Sequence, residues 1–309
     1  MKKAALLFLS VLLTIIITGC SSSTEEDKAG LTVYTSIYPI QYITEQIGGD
    51  TLTVKSVYPP GVDAHTYEPT TKEMTSIASG DAFIYMGAGM EGFAESAADA
   101  LSSENVELVE LGKNEELFHT ENDHSEEHAD DGHHHGDHDP HIWLDPLRMI
   151  DMAEMINSKL IELNPDKSEQ YTNNLATLKE SLLALDKQYQ ETLQNKDNNE
   201  ILVSHAAYGY WEERYGLEQI AISGLTSSDE PSQKELTQII DKAKDLNLDY
   251  VIFEQNGTDR VSKIIQEQIN AKALYIHNLS VLTDNDIKNE EDYMSLMEHN
   301  LKVLDKATK

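Results

Sequence analysis

Residues 165–194 read PDKSEQYTNNLATLKESLLALDKQYQETLQ, and the spacing inside them divides the chain. Leu175, Leu178, Leu182, Leu185 and Tyr189 recur at steps of three and four with polar residues between them, the period of one apolar stripe along an α-helix. Pro165 after Asn164 suits the first turn, where its missing N–H costs nothing, and Asn195 to Asn199 form a polar stop. One stiff connecting helix is predicted over 165–195. A stripe on a single helix of this length serves packing against a core rather than a dimer seam, so a monomer is expected.

On either side of this helix, short apolar runs alternate with helical patterns. Leu31–Tyr38, Leu52–Tyr58, Ala82–Gly87 and Val106–Leu111 read as strands before it, and Ile201–Ser204, Gln219–Ile222, Tyr250–Glu254 and Ala273–His277 after it. Strands that alternate with helices form mainly parallel sheets covered by helices. The expected fold class is therefore α/β, with two lobes at 31–164 and 196–309, each a mainly parallel four-stranded sheet flanked by helices, joined by one long helix. A further helix is predicted from Asp145-Pro146, where Asp caps free N–H groups and Pro fits the first turn, with Met149, Met152, Ala153, Ile156 and Leu160 as its buried stripe.

Eight of the twelve histidines fall in HTENDHSEEHADDGHHHGDHDPH, residues 119–141. Imidazole is mostly neutral at neutral pH and is the commonest metal-bonding side chain, while the carboxylates around it attract cations. Such a polar, glycine-containing run cannot bury a core, so residues 119–138 are expected to be a loop that binds metal weakly and at several points. Zinc is the first candidate. The alternative is a purely solvating loop, for which histidine is not needed.

Three histidines stand beside structure-forming residues: His65 in GVDAHTYEP, His141 in DPHIWLDP and His205 in LVSHAAYGYW. Each sits at the end of a predicted element. In open α/β sheets ligands bind at the carboxyl ends of the strands, so one metal could collect all three, although any one of them alone reads more often as a hydrogen-bonded structural residue.

The chain holds one cysteine, Cys20. This excludes an internal disulfide and a cysteine-based zinc site, leaving His, Asp and Glu as ligands. Cys20 follows Met1-Lys2-Lys3 and an apolar stretch from Ala4 to Ile17, too short for a stable membrane span but suited to a secretory signal at 1–19. Residues 20–30 read as a flexible tether. With 55 Asp and Glu against 23 Lys and Arg the formal charge is −32, which argues against nucleic-acid binding and favours attraction of cations.

These marks together carry a family resemblance. His65 with Tyr67-Glu68-Pro69, Asp139-Pro140-His141 with Trp143-Leu144-Asp145-Pro146, His205 with Tyr208-Gly209-Tyr210 and Tyr215-Gly216-Leu217, and Glu230-Pro231-Ser232 resemble the zinc-binding solute-binding lipoproteins of ABC importers, which share a fold with the manganese-binding proteins of streptococci. The resemblance covers nearly the whole mature chain. It implies a single Zn²⁺ cargo held by His65 and His141 from the first lobe and His205 from the second. It also implies an ABC permease and its ATPase as partners. Residues 17–20 resemble a lipobox, which implies lipid on Cys20 and a place on the outer face of the cell membrane.

Three imidazoles suit zinc better than manganese, which prefers more carboxylate oxygen. Relatives often add a carboxylate near residues 276–283, where this chain has Ser280; the candidates for a fourth ligand are water, His277 or the Ser280 region. Glu68 and Glu254 are candidates for orienting a ligand imidazole. No catalytic residue is assigned. Two other functions fit the same residues: a surface metal buffer or adhesin, and a three-histidine zinc hydrolase, against which the lack of HExxH and G-x-S-x-G counts.

Overall fold

Each of the eight apolar runs forms a strand in the computed structural model, which describes residues 30–119, 138–226, 229–255 and 260–308. The signal, the tether with Cys20, and residues 120–137 of the histidine-rich tract lie outside the described residues. Strands β1 (Leu31–Thr35), β2 (Leu52–Ser56), β3 (Ala82–Tyr85) and β4 (Glu107–Glu110) form one parallel sheet in the order β2-β1-β3-β4. Strands β5 (Glu200–His205), β6 (Glu218–Ser223), β7 (Tyr250–Glu254) and β8 (Lys272–Ile276) form a second, also parallel, in the order β6-β5-β7-β8. The two orders are the same. In both, the first strand lies between the second and the third, and the break in winding there opens a crevice at the carboxyl ends.

The first strand is shorter than its apolar run predicts. Pro39 lies in the first turn of helix α1 (Tyr38–Gly48), and its fixed φ starts a helix where the apolar composition alone continues a strand. Helices α2 (Thr71–Ala78) and α3 (Ala94–Leu101) complete the crossovers of the first sheet. Helix α4 (Pro146–Leu163) starts as expected, with the Asp145 side chain accepting from Leu147 N, and buries Met149, Met152, Ala153, Ile156 and Leu160.

The connector is α5 (Ser168–Leu193), preceded by a single 3₁₀ turn at Pro165–Lys167. Leu182, Leu185 and Tyr189 are fully buried and Leu178 nearly so, each leucine contributing about 2 kcal/mol of apolar transfer free energy. The stripe faces α1, α4 and the last helix of the chain. Helices α6 (Gly209–Tyr215), α7 (Gln233–Asp245), α8 (Arg260–Ile269), α9 (Asp284–Lys288) and α10 (Tyr293–Ala307) follow.

The described residues from Leu31 onward pack as one unit, because a single apolar core runs through both sheets. Ile201 and Val203 of β5 face this core, while Leu202 between them faces a smaller cluster with Ile220, Ile222, Val251 and Phe253. That alternation is the two-residue period of a strand buried on both faces. Hydrogen bonds cross between the lobes inside the core. Trp143 Nε1 donates to Asn278 O (2.8 Å), Trp211 Nε1 to Leu144 O (2.7 Å) and Tyr293 Oη to Trp143 O (2.7 Å).

Candidate metal centre

His65 lies in the loop after β2, where Asp63 Oδ1 accepts from His65 N (2.8 Å) and the Tyr58 hydroxyl donates to Ala64 O (2.8 Å). His141 precedes a 3₁₀ turn at Ile142–Leu144, and His205 is the last residue of β5. Because β5 adjoins the crevice of the second sheet, its terminal side chain enters that crevice.

The three meet. Their ring centroids are 5.3 Å apart for His65 and His141, 5.3 Å for His141 and His205, and 6.3 Å for His65 and His205. One ring nitrogen from each lies within 4.8 Å of the others. His141 and His205 are 1% and 3% exposed, so hydration contributes little to satisfying them.

The hydrogen bonds decide which nitrogens are available. His141 Nδ1 is 2.7 Å from Asp139 Oδ1, and His205 Nδ1 pairs with Glu254 Oε1. A carboxylate only accepts, so each contact assigns the proton to Nδ1 and leaves a lone pair on Nε2. Glu254 is itself fixed by the Tyr208 hydroxyl (3.0 Å) and by Asn278 Nδ2 (2.6 Å). His205 Nε2 and His65 Nδ1 are buried without a hydrogen-bond partner among the described residues. Buried polar atoms without partners cost roughly 1–3 kcal/mol each, a cost that a bound cation reverses.

Charge acts oppositely on the two imidazoles whose nitrogens lack partners. Burial, then the neighbouring His141 and His205, hold the His65 imidazole down at about 4, so it is neutral and able to donate a lone pair at neutral pH. Burial also pulls His205 down, but the charge and hydrogen bond of Glu254 outweigh it and the net shift is upward. Glu254 is correspondingly lowered: burial opposes its charge, and His205, Tyr208 and Asn278 overcome burial. The cluster thus has a carboxylate behind one imidazole and another behind a second, an arrangement that raises ligand basicity.

The remaining candidates lie elsewhere. Both ring nitrogens of His277 are engaged, Nε2 at 3.1 Å from Asp286 Oδ2 and Nδ1 accepting from Leu279 N (2.9 Å), and His277 is not part of the cluster. The Ser280 hydroxyl donates to Asn278 Oδ1 (2.9 Å), which places it in the hydrogen-bond chain behind Glu254. Glu68 is exposed. Sequence reasoning assigned no role to Asp139 or Asn278. The first has a local signal, since an Asp two residues before another residue commonly accepts from its N–H, as Asp139 does from His141 N (3.0 Å). The second has none, because Asn278 meets Glu254 only across β7 and β8.

Comparison with known proteins places the chain among zinc-binding relatives. Residues 33–307 match the family model for ZnuA, the periplasmic component A of a zinc-uptake complex. The zinc-binding lipoprotein AdcA of Streptococcus pneumoniae is 35% identical over 312 residues, covering 100% of this chain and 61% of that protein. The chain thus spans 61% of the length of that streptococcal relative. The high-affinity zinc uptake system protein ZnuA of Bacillus subtilis is 30% identical over 309 residues, covering 98% of this chain and 97% of that protein. Among solved structures, the Zn(II)-bound ZnuA-like domain of Streptococcus pneumoniae AdcA superposes with a TM-score of 0.73 at 32% identity, over 90% of this chain and 99% of that one. With the match running through both sheets and the connector, the chain belongs to the ZnuA family of zinc-uptake component A proteins.

Proposed function

We propose that this chain captures Zn²⁺ outside the cytoplasm and delivers it to the permease of an ABC importer, with His65, His141 and His205 as the zinc ligands and a water in the fourth position. The observation that carries this reading is the buried cluster of three imidazoles, two of them oriented by carboxylates and two with partnerless buried nitrogens. Zinc bonded to each nitrogen at about 2.1 Å draws them to roughly 3.4 Å from one another, a small contraction from the present spacing. The ion is cargo and undergoes no chemistry.

In this reading lipid on Cys20 anchors the protein to the outer face of the membrane and residues 20–30 tether it there, which raises its effective concentration at the permease without any new contact. The lobes at 31–164 and 196–309 hold the ion between them, and the connector limits their separation. The histidine-rich residues 119–138 collect zinc weakly near the site.

Zinc affinity, measured by competition with a chelator, tests the ligand set. Wild type is expected to bind tightly and His65→Ala, His141→Ala and His205→Ala to lose most of that affinity; unchanged binding in all three sinks the assignment. A second reading, a surface adhesin or buffer, is favoured by similar solved structures. A laminin-binding protein of Streptococcus agalactiae, described as having adhesin and metal transporting activity, superposes with a TM-score of 0.76 at 25% identity. Deleting residues 119–138 separates the two: a buffer loses its tight site and an importer component keeps it.

A further inference from the structure

Asp139, which orients His141, is held in place from the opposite lobe. Its backbone carbonyl accepts from the Tyr210 hydroxyl at 2.7 Å, and Tyr210 belongs to α6 in the C-terminal half of the chain. Its second carboxylate oxygen rests against Gly209, the first residue of α6, so closely that a Cβ at that position would come to 2.9 Å. A side chain there meets that oxygen, which must shift to make room.

Helix α6 is bonded to the second sheet. Glu212 on it accepts from both Gln219 N and Gln219 Nε2 of β6, each at 2.7 Å. The other face of Tyr210 is closed by Arg148 of α4, whose guanidinium lies 4.5 Å from the ring centroid and pairs with Glu213 at 3.0 Å. Tyr210 is 5% exposed, so its hydroxyl has little access to water as a substitute partner. The C-terminal lobe therefore brings two things to the cluster, the imidazole of His205 and the hydroxyl that fixes Asp139.

We propose that Tyr210, with Gly209 beside it, is a cross-lobe positioning residue that holds Asp139, and through it the His141 imidazole, only while the lobes are seated together. The inference rests on His141 being a zinc ligand. Displacing the C-terminal lobe withdraws His205 and, in the same movement, frees Asp139 to turn and release the Nδ1–H of His141. Two of the three ligands then weaken together, so a modest lobe movement at the transporter suffices to unload the ion, and closure alone builds the tight site.

The test uses the full chain loaded with zinc and mixed with excess chelator, with release followed in time, and the visible absorption of the Co²⁺-substituted protein as a report of ligand geometry. Tyr210→Phe removes only the hydroxyl. Gly209→Ala removes no hydrogen bond and instead pushes the Asp139 carboxylate aside. Tyr189→Phe is the control, because it deletes a buried hydroxyl that donates to Met297 O at the same 2.7 Å, away from the cluster. Removing a group that orients a metal-bound histidine typically weakens a site by 10- to 100-fold, so release about 10-fold faster is expected in Tyr210→Phe. A shifted Co²⁺ band should accompany it, Gly209→Ala should change in the same direction, and Tyr189→Phe should match wild type.

Release from Tyr210→Phe within about twofold of wild type, well below that range, overturns the proposal. Equal acceleration in Tyr189→Phe does so too, because the effect is then general loosening. His141→Ala is run alongside: if it holds zinc as wild type does, the ligand assignment itself fails, whereas a wild-type rate in Tyr210→Phe with a crippled His141→Ala removes only the cross-lobe role.

Discussion

The Nδ1 of His205 and the carboxylate of Glu254 form a buried pair at the ends of adjacent strands, β5 and β7. The pair turns His205 so that Nε2, not Nδ1, is left without a partner. Glu254→Gln keeps the size of the side chain but removes the charge that sets the tautomer. Zinc affinity should fall by roughly 10- to 100-fold, read by chelator competition, with the far-ultraviolet circular dichroism unchanged.

Trp143 reports the site optically. Its ring lies 5.2 Å from that of His141, and both it and Trp211 are fully buried. Zinc titration is expected to change tryptophan emission in wild type and in Trp211→Phe, and to leave it nearly constant in Trp143→Phe. The last variant also loses the bond to Asn278 O and should unfold at lower urea, by about 1–2 kcal/mol.

Asp186 ties the connector to the second lobe. Its Oδ1 accepts from Arg214 Nε (2.7 Å) and from the Tyr215 hydroxyl (3.1 Å), and Arg214 also lies 3.3 Å from Asp145. Asp186→Ala leaves a half-buried guanidinium with Asp145 as its remaining carboxylate partner and should cost about 1–2 kcal/mol in stability. Zinc affinity of the folded protein should stay near wild type, because none of these groups touches the histidine cluster; a loss matching that of a ligand variant would show the network to be part of the site.

Asp286 makes stability depend on acid. Burial raises its carboxyl, but hydrogen bonds from His277 and Thr283 outweigh burial and hold it down at about 2. A carboxyl lowered on folding stabilises above its unfolded value near 4 and loses that contribution as pH falls toward 2. The gain is about 1 kcal/mol once solvent screening of a group near the surface is allowed for. Urea midpoints of wild type and Asp286→Asn should differ at about pH 5 and converge only as pH falls toward about 2. A constant gap would show that the carboxylate's charge is not the cause.

Local order was legible in the sequence because its causes are local. The stripe from Leu175 to Tyr189 and the eight apolar runs each encode a period within a few residues. Asp145 and Pro146 start a helix by contacts within one turn. The single cysteine and the abundance of histidine narrowed the metal chemistry before any geometry was known. Even so, Pro39 ended the first strand earlier than its apolar run predicts.

Tertiary structure alone decided which of these groups meet. His65, His141 and His205 come from a loop, a turn and a strand end, and only sheet order together with the docking of two lobes brings one ring nitrogen of each within 4.8 Å of the others. The same packing gave Glu254 to His205, set Tyr210 on Asp139, and diverted His277 to Asp286. Periodicity and capping are written in neighbouring residues, whereas a hydrogen bond between residues tens of positions apart is settled by register and crossing geometry, which no short stretch of chain contains.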